Sequence, residues 1–363
     1  MAQELTQGGS ERQLAEIARS LDRREFAPHV AVFRPGGIRF EELVAAGIPI
    51  TIISVKSFGS PRILGAAWKF GQYLRRHRVR LVHSFDVPAS VFAPFVARAI
   101  GTPVVLSSQR AFRGLAPRHL RPVLRLSDRV VDGIVVNCHA LEKHLIDEYA
   151  VPASKIQLCY NGVDTLAFSP RAVARPSQLS DASLVVGVVC ALRPEKDLLT
   201  LLKAFAIALS RESGLLLVVV GSGPVLPQLE QLRDALHLRN RCLFVPSATS
   251  VVDWLRAFDI FVLPSRTEAL SNSLMEAMAC GCAVIASDVG GNPELVEHGQ
   301  RGLLFQPGDA EGLANMLLRL SADPQNRSRM AAAAREFIES RLTLPIAAAR
   351  MGEIYRDFLS RKS

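Results

Sequence analysis

Aromatic residues are scarce in this chain: 2 Trp, 4 Tyr and 17 Phe, 6% in all. So few large rings give little to stack on exposed bases, and no recognition motif is present, so nucleic acid is not an expected partner. Cysteine is sparse too. The six, at 138, 159, 190, 242, 280 and 282, form no Cys-x-x-Cys pair, and Cys280-Gly-Cys282 is too tight for a usual zinc knuckle. Most lie in or beside apolar runs and read as reduced core thiols of a cytosolic protein. A membrane-spanning run of ~20 apolar residues is lacking. The longest apolar stretch, Val87 to Leu106, is interrupted by Pro88, Pro94, Arg98, Gly101 and Pro103. The first seven residues are polar, so no signal peptide is visible. The expected location is cytoplasmic, or peripheral at the inner face of a membrane. No Asp-x-Asp occurs, in keeping with a reaction that uses no metal and no cofactor. No Gly-x-Gly-x-x-Gly opens either half, which argues against a nicotinamide dehydrogenase.

What is present fits two domains. The chain has 363 residues, 49% hydrophobic and 21% charged, a globular composition. The net charge of +9 is uneven. Residues 1–180 hold 24 Lys and Arg against 14 Asp and Glu, and residues 181–363 hold 19 against 20. Something anionic is therefore expected to meet the first half.

Short β-branched runs alternate with amphipathic stretches, the pattern of parallel sheets covered by helices. In the first half strands are predicted at 29–33, 49–54, 79–83, 103–107, 133–137 and 156–160. Helices are predicted at 10–22, 61–77, 87–99, 116–131 and 139–149. Residues 169–183, rich in Pro, Ser and Ala, read as a linker. Strands then recur at 185–189, 215–220, 241–245, 259–263, 283–286 and 302–305. Helices are placed at 197–211, 225–237, 250–257, 272–280, 292–298, 310–321 and 325–360. The expected fold class is α/β, with two doubly wound Rossmann-like domains facing across a cleft. The expected division is 1–168, linker 169–183, then 184–345, with 346–363 a helix packing back toward the first domain. Ligands of such sheets bind at the carboxyl ends of the strands.

Four stretches carry chemistry. In Leu263-Pro-Ser-Arg-Thr-Glu268-Ala-Leu-Ser-Asn-Ser-Leu-Met-Glu276, a buried strand runs into a polar loop that opens a helix near Ser271–Asn272. Free N–H groups at a helix start suit a diphosphate. Two carboxylates beside a phosphate site repel the phosphate but suit a vicinal diol. A ligand with both groups is a sugar nucleotide. Taken alone, the two glutamates would equally suit a helix-start charge and a solvated helix residue. The second stretch, Val185 to Asp197, ends a strand in a turn carrying Arg193 and Lys196. Lys196 suits either a phosphate or plain solvent, and Asp197 is placed to cap the next helix. The third, Gly221-Ser-Gly223-Pro224, is a glycine turn after a strand. The fourth, Asn161-Gly162 within 160–164, signals a tight turn.

In combination these stretches, with Ala277-Met-Ala-Cys-Gly281 and Asp288-Val-Gly290-Gly291-Asn-Pro293-Glu294, resemble the retaining glycosyltransferases of family 4, which have the GT-B fold. The resemblance implies transfer of a hexosyl group from a UDP- or GDP-sugar to a glycan or lipid-linked acceptor, with retained anomeric configuration. It implies a place in cell-surface polysaccharide synthesis. Glu276 matches the glutamate that holds the ribose hydroxyls, and Glu268 the one at the donor sugar. The backbone of Leu270, Ser271 and Asn272 and the side chain of Ser273 match the diphosphate cradle. Lys196 matches the lysine that stabilises the departing diphosphate, and Gly8 and Gly9 match the glycine loop of the first domain.

Three departures stand out. The family's phosphate-binding arginine is replaced by Ala191, which leaves Arg193 as the candidate substitute. Its first-domain histidine has no counterpart, which leaves Gln109, Arg110 or His83; His83 equally reads as a buried structural histidine. Few and mostly polar residues precede Gly8, so the usual first strand is expected to be short or missing. Arg118, Arg121 and Arg125 are expected to share one face of helix 116–131 and to meet an anionic membrane surface, with a second cluster at Arg75, Arg76, Arg78 and Arg80. An ordinary solvated face fits them equally. The competing functions are a glucan synthase or epimerase on the same fold, and a nucleotide-binding protein without transfer activity.

Overall fold

The computed structural model describes residues 1–6, 8–171, 176–179, 182–246 and 250–362. It divides into two compact units, Met1–Gly162 with Leu344–Ser363, and Val163–Thr343. Two expected bounds move. The second unit starts at Val163, not after residue 168. Residues 163–169 belong to it because Phe168 N donates to Asp164 O and Arg256 donates to the carbonyls of Ala167 and Ser169. The predicted helix 325–360 is two helices, Pro324–Arg341 and Leu344–Ser360, and only the second joins the first unit. Within the expected linker 169–183, residues 172–175 and 180–181 lie outside the described residues.

The first unit has strands β1 (Val30–Val32), β2 (Ile50–Ile52), β3 (Leu81–Ser84), β4 (Val104–Gln109), β5 (Gly133–Val136) and β6 (Ile156–Leu158). They pair in parallel as β1-β2 and β3-β4-β5-β6. The expected missing strand has a three-residue substitute. Ala2 bridges in parallel to Val32, and Phe33 N donates to Gln3 O. On the other side Phe85 N donates to Met1 O, and the Met1 ammonium donates to His83 O at 2.6 Å. Residues 1–3 thus stand between β1 and β3. The order becomes β2-β1-(1–3)-β3-β4-β5-β6, the doubly wound sequence 3-2-1-4-5-6 with one further strand.

Local chemistry explains where helix prediction erred. The expected helix 87–99 is broken into Val87–Ser90 and Ala93–Ala99, and each piece has a proline in its first turn. The expected helix 116–131 begins only at Arg121, after a 3₁₀ turn at Arg118–Leu120. Helix Ile38–Ala45, entered from Gly37 at φ 99°, was not predicted from the pattern. The helix Leu344–Ser360 lays Met351, Ile354, Tyr355 and Phe358 into the core with Val104, Leu106 and Val135. Gly133 makes room for it, since a Cβ there would lie 2.4 Å from the Phe358 ring. Gly162 likewise serves close packing, with Leu344 Cα 2.8 Å from its would-be Cβ, rather than the expected turn.

The second unit has β7 (Leu184–Val189), β8 (Leu215–Val220), β9 (Cys242–Val245), β10 (Ile260–Leu263), β11 (Ala283–Ser287) and β12 (Leu303–Phe305). They form one parallel sheet, ordered β12-β11-β10-β7-β8-β9. Counted within the unit this is again 3-2-1-4-5-6. β7 and β8 are near-continuous Leu and Val, as strands buried on both faces require. Their core includes Leu201, Phe205, Leu217, Ile285 and Leu317. The order reverses between β7 and β10, and the carboxyl ends there are where sheets of this kind bind their ligands.

Candidate active site

The loops that leave β7 and β10 meet at this reversal. The β7 loop forms a 3₁₀ turn at Pro194–Lys196. The β10 loop runs from Pro264 to Ser271, where helix Asn272–Ala279 begins. Lys196 Nζ donates to Glu268 Oε2 at 2.5 Å. Ser265 Oγ donates to the same oxygen at 3.0 Å. Both side chains of the ion pair are largely but not wholly covered, 20% exposed for Lys196 and 13% for Glu268. Burial opposes the lysine charge, but the Glu268 carboxylate outweighs it and holds the Lys196 pKa above its ordinary value. The ammonium has three donors and Glu268 takes one. An anion at these carboxyl ends therefore meets a lysine that is charged and already positioned.

A second pair reinforces the first. Arg266 Nε donates to Asp197 Oδ2 at 2.9 Å, and Arg266 N donates to Glu195 O at 2.9 Å. Asp197 is buried, and the Thr200 hydroxyl donates to the same Oδ2. The expected capping by Asp197 is therefore not made: its carboxylate is committed to Arg266 and Thr200, and the helix N–H groups receive no bond from it. Arg266 and Ser265 were missed in the sequence. The available signal was charge order. Lys-Asp on one loop faces Arg-x-Glu on the other, which allows two opposite-charge pairs side by side.

The helix start is as expected. Ser271 caps it, its Oγ accepting from Leu274 N, and Leu270 and Ser271 are buried while Asn272 and Ser273 are half-exposed. Glu276 sits on that helix and is 4% exposed, so the solvated-residue reading is wrong for it. The loop after β11 is tied in, with Gly291 N donating to Ala269 O at 2.8 Å and Ser287 Oγ to Ser265 O at 2.6 Å. The glycine turn after β8 is a support. Leu192 N donates to Ser222 O, and a Cβ on Gly223 would lie 2.2 Å from Leu192 O. Arg193 is exposed at the start of the 3₁₀ turn. Cys190, at the end of β7, has its thiol pushed up to about 12, chiefly by burial. All six cysteines are free, and burial likewise pushes up the thiols of Cys159, Cys242, Cys280 and Cys282, which leaves these five unsuited to act as thiolates.

The first unit separates its candidates. Gly8 precedes helix Gly9–Ser20 in extended conformation, and a Cβ on it would strike the Glu11 carboxylate at 2.1 Å. His83 is buried, with Nδ1 hydrogen-bonded to Tyr355 OH at 2.8 Å and Nε2 to Ser108 Oγ at 2.9 Å. Both ring nitrogens are committed, so His83 is the structural histidine. The Gln109 side chain braces a turn, donating to Ala111 O and accepting from Arg113 Nε. Arg110 donates to Asn161 Oδ1 at 2.6 Å, with its guanidinium over the Phe85 ring.

The α-helix Arg121–Val130 carries only Arg121 and Arg125 of the three expected arginines. Arg118 lies ahead of the helix. Arg121 donates to the carbonyls of Ala116 and Gly114, and Arg125 stacks by the Tyr149 ring. No helix among the described residues is long and apolar enough to cross a membrane.

Residues 172–337 match the family model described as glycosyl transferases group 1, and residues 7–166 match glycosyltransferase family 4. The chain is 27% identical to N-acetyl-alpha-D-glucosaminyl L-malate synthase of Bacillus anthracis, over 82% of its own length and 80% of that protein's. It is 28% identical to the lipopolysaccharide core biosynthesis glycosyltransferase LpsD of Rhizobium meliloti, over 93% and 92%. Several other curated relatives are longer, and the chain spans about half their length. Among solved structures, Anabaena HepE in complex with UDP and glucose superposes with a TM-score of 0.84 at 24% identity, over 98% of this chain and 97% of that one. Both units are Rossmann-like and the fold is GT-B. On the two family matches, which together run through most of the sequence, the chain belongs to the group 1/family 4 glycosyltransferases.

Proposed function

We propose that the protein transfers a hexosyl group from a nucleotide-diphosphate sugar to a glycan or lipid-linked acceptor, with retention of configuration and without a metal. The observation that carries this reading is the Lys196–Glu268 pair at the carboxyl ends of the two strands that flank the reversal of the second sheet. In this reading the start of helix Asn272–Ala279, with Ser273, cradles the diphosphate. Lys196 and that helix start stabilise the charge that grows on the diphosphate as the sugar departs. Glu268 accepts from hydroxyls of the donor sugar, and the buried Glu276 from the ribose. Arg193, exposed on the same turn as Lys196, is the candidate for the missing arginine at Ala191. The acceptor attacks from the face the diphosphate leaves, and a donor phosphate oxygen takes its proton. The likeness to LpsD along nearly the whole chain supports a cell-surface glycan as the product class.

A thermal-shift panel of UDP-, GDP- and ADP-sugars tests the donor. One of them is expected to stabilise the fold, by about 2.7 kcal/mol at one hundred times its Kd. Incubation with that donor is expected to release free sugar or glycosylated acceptor, and Glu268→Ala to abolish the release. No shift with any nucleotide sugar would overturn the reading. A shift without turnover would favour the nucleotide-binding alternative, for which Ala191 in place of arginine already argues.

A further inference from the structure

From Leu43 to Phe85 the chain carries seven Lys and Arg and not one Asp or Glu. All seven are exposed. Four of them, Arg62, Lys69, Arg75 and Arg76, lie on the helix Arg62–Arg76. None of these four pairs with a carboxylate among the described residues. Lys69 Nζ instead donates to Ile52 O at 2.9 Å.

The helix is held to its unit by Ala66, Phe70, Gly71 and Leu74. Its exposed side is not uniformly polar, as a plain solvated face would be. Leu64 is 74% exposed and Trp68, one turn on, is 69% exposed. Gly65 between them has nothing within 4 Å of a would-be Cβ, so the helix backbone is open there too. One of only two tryptophans in the chain thus stands in water beside an exposed leucine, on a helix whose four cations make no ion pair with a carboxylate among the described residues. Scattered exposed apolar residues are ordinary. A Trp and a Leu at helical spacing, inside a segment of one sign of charge, are not scattered.

We propose that this face of the helix docks on an anionic bilayer. Trp68 and Leu64 enter the headgroup region, where an indole buries its ring and keeps its N–H wet, and the four cations meet lipid phosphates. Each cation near an anionic leaflet strengthens partitioning by about fivefold, screened within about 10 Å at 0.1 M salt. The aliphatic Leu64 favours acyl chains over bases, which would call for further rings to stack on. The surface is not the expected one of Arg118, Arg121 and Arg125; it takes in Arg75 and Arg76 of the second expected cluster, and it does not depend on which reaction the second unit performs.

The chain's tryptophan count makes the test direct. In the full chain with Trp254→Phe, Trp68 is the sole indole. On vesicles containing phosphatidylglycerol its emission is expected to move to the blue and to be quenched by brominated lipid, and on phosphatidylcholine vesicles alone it is expected to stay red. In co-sedimentation, Leu64→Ala/Trp68→Ala and Arg75→Gln/Arg76→Gln are each expected to bind phosphatidylglycerol vesicles at least about tenfold more weakly than the native chain. Both pairs are exposed, so melting temperature and any nucleotide-sugar shift are expected to be kept, which separates lost docking from lost fold or lost transfer. Unmoved Trp68 emission on anionic vesicles would overturn the proposal. So would unchanged sedimentation of both variants, or a blue shift caused by a single-stranded oligonucleotide and not by vesicles.

Discussion

Asp197 accepts from Arg266 across 2.9 Å while its own backbone stands at φ 46°, in the left-handed region that residues with a Cβ rarely adopt. The carboxylate bonds to Arg266 and Thr200 hold that conformation, and it in turn fixes the residue before it, Lys196. Two substitutions separate backbone from side chain. Asp197→Ala loses the carboxylate and keeps the left-handed cost, roughly 1 kcal/mol. Asp197→Gly loses the carboxylate and removes that cost. Both are expected to be less stable than the native chain in urea, by about 1.5–3 kcal/mol for the lost bonds to a charged group. The alanine variant is expected to be the worse by ~1 kcal/mol. Equal midpoints would mean that Asp197 bears no strain.

The charge on Lys196 depends on Glu268. Burial works against the ammonium, and the neighbouring carboxylate reverses the outcome, so the folded pKa lies above the ordinary value. The pair's contribution is therefore present at neutral pH and is lost only as pH rises through that raised value. Glu268→Gln keeps a hydrogen-bond acceptor and removes the counter-charge, which leaves burial to dominate and lowers the Lys196 pKa. Binding of the nucleotide diphosphate in that variant is expected to weaken, on the alkaline side, at a lower pH than in the native chain. Calorimetric titration across alkaline pH measures it. Parallel pH profiles would show that Lys196 does not meet the diphosphate.

Periodicity made both sheets and most helix positions legible, because buried parallel strands are unbroken Leu, Ile and Val runs such as Leu215–Val220. The Glu268 loop and the start of helix Asn272–Ala279 were legible for a related reason: strand, polar loop and cap follow one another in sequence. What was not legible came from contacts between distant segments. The residues Met1–Gln3 look like a polar lead, and only their bonds to Val32, Phe33 and Phe85 make them a strand. The bond from Arg266 to Asp197 spans 69 positions, and the one between His83 and Tyr355 spans 272. Local pattern also overcounts surface charge. Arg121 reads as an exposed cation and is spent on the carbonyls of Gly114 and Ala116 in the chain ahead of its helix.

Two glycines are expected to respond in opposite senses. Gly223 lies where a Cβ would be 2.2 Å from Leu192 O, a backbone atom with little freedom to yield. Gly223→Ala is expected to destabilise by about 2 kcal/mol or more and to displace the loop that carries Lys196. Gly65 lies in the exposed interior of helix Arg62–Arg76 with open space around it. Gly65→Ala is expected to stabilise by roughly 0.5–1 kcal/mol through helix propensity. Thermal or urea melts decide both. A neutral Gly223→Ala would mean that the loop after β8 does not support the site.

His83 sets an acid limit on the first unit. Burial, the largest influence, drives its pKa well below the ordinary 6.5, and the nearby Met1 α-amino group, when charged, and Arg110 act in the same direction. The folded chain therefore keeps the imidazole neutral while the unfolded chain protonates it below about 6.5. The unfolded state gains a proton that the folded state refuses, so stability falls as pH drops below that value, by ~1.4 kcal/mol per unit for one proton. Asp86, pushed up to about 6 chiefly by burial, binds its proton more readily in the folded state and works the opposite way between about 6 and the ordinary aspartate range. The Met1 α-amino group, lowered to about 5 chiefly by burial, works in the same sense as His83. All three groups lie in one unit, so the share of His83 is read best by removing it. His83→Gln loses the titrating ring and keeps an amide that can reach Tyr355 or Ser108. It is expected to be less stable than the native chain at pH 7.5, and to lose less on going to pH 5. Urea midpoints at the two pH values give the comparison. An equal loss in both proteins would mean that His83 is not the group that titrates.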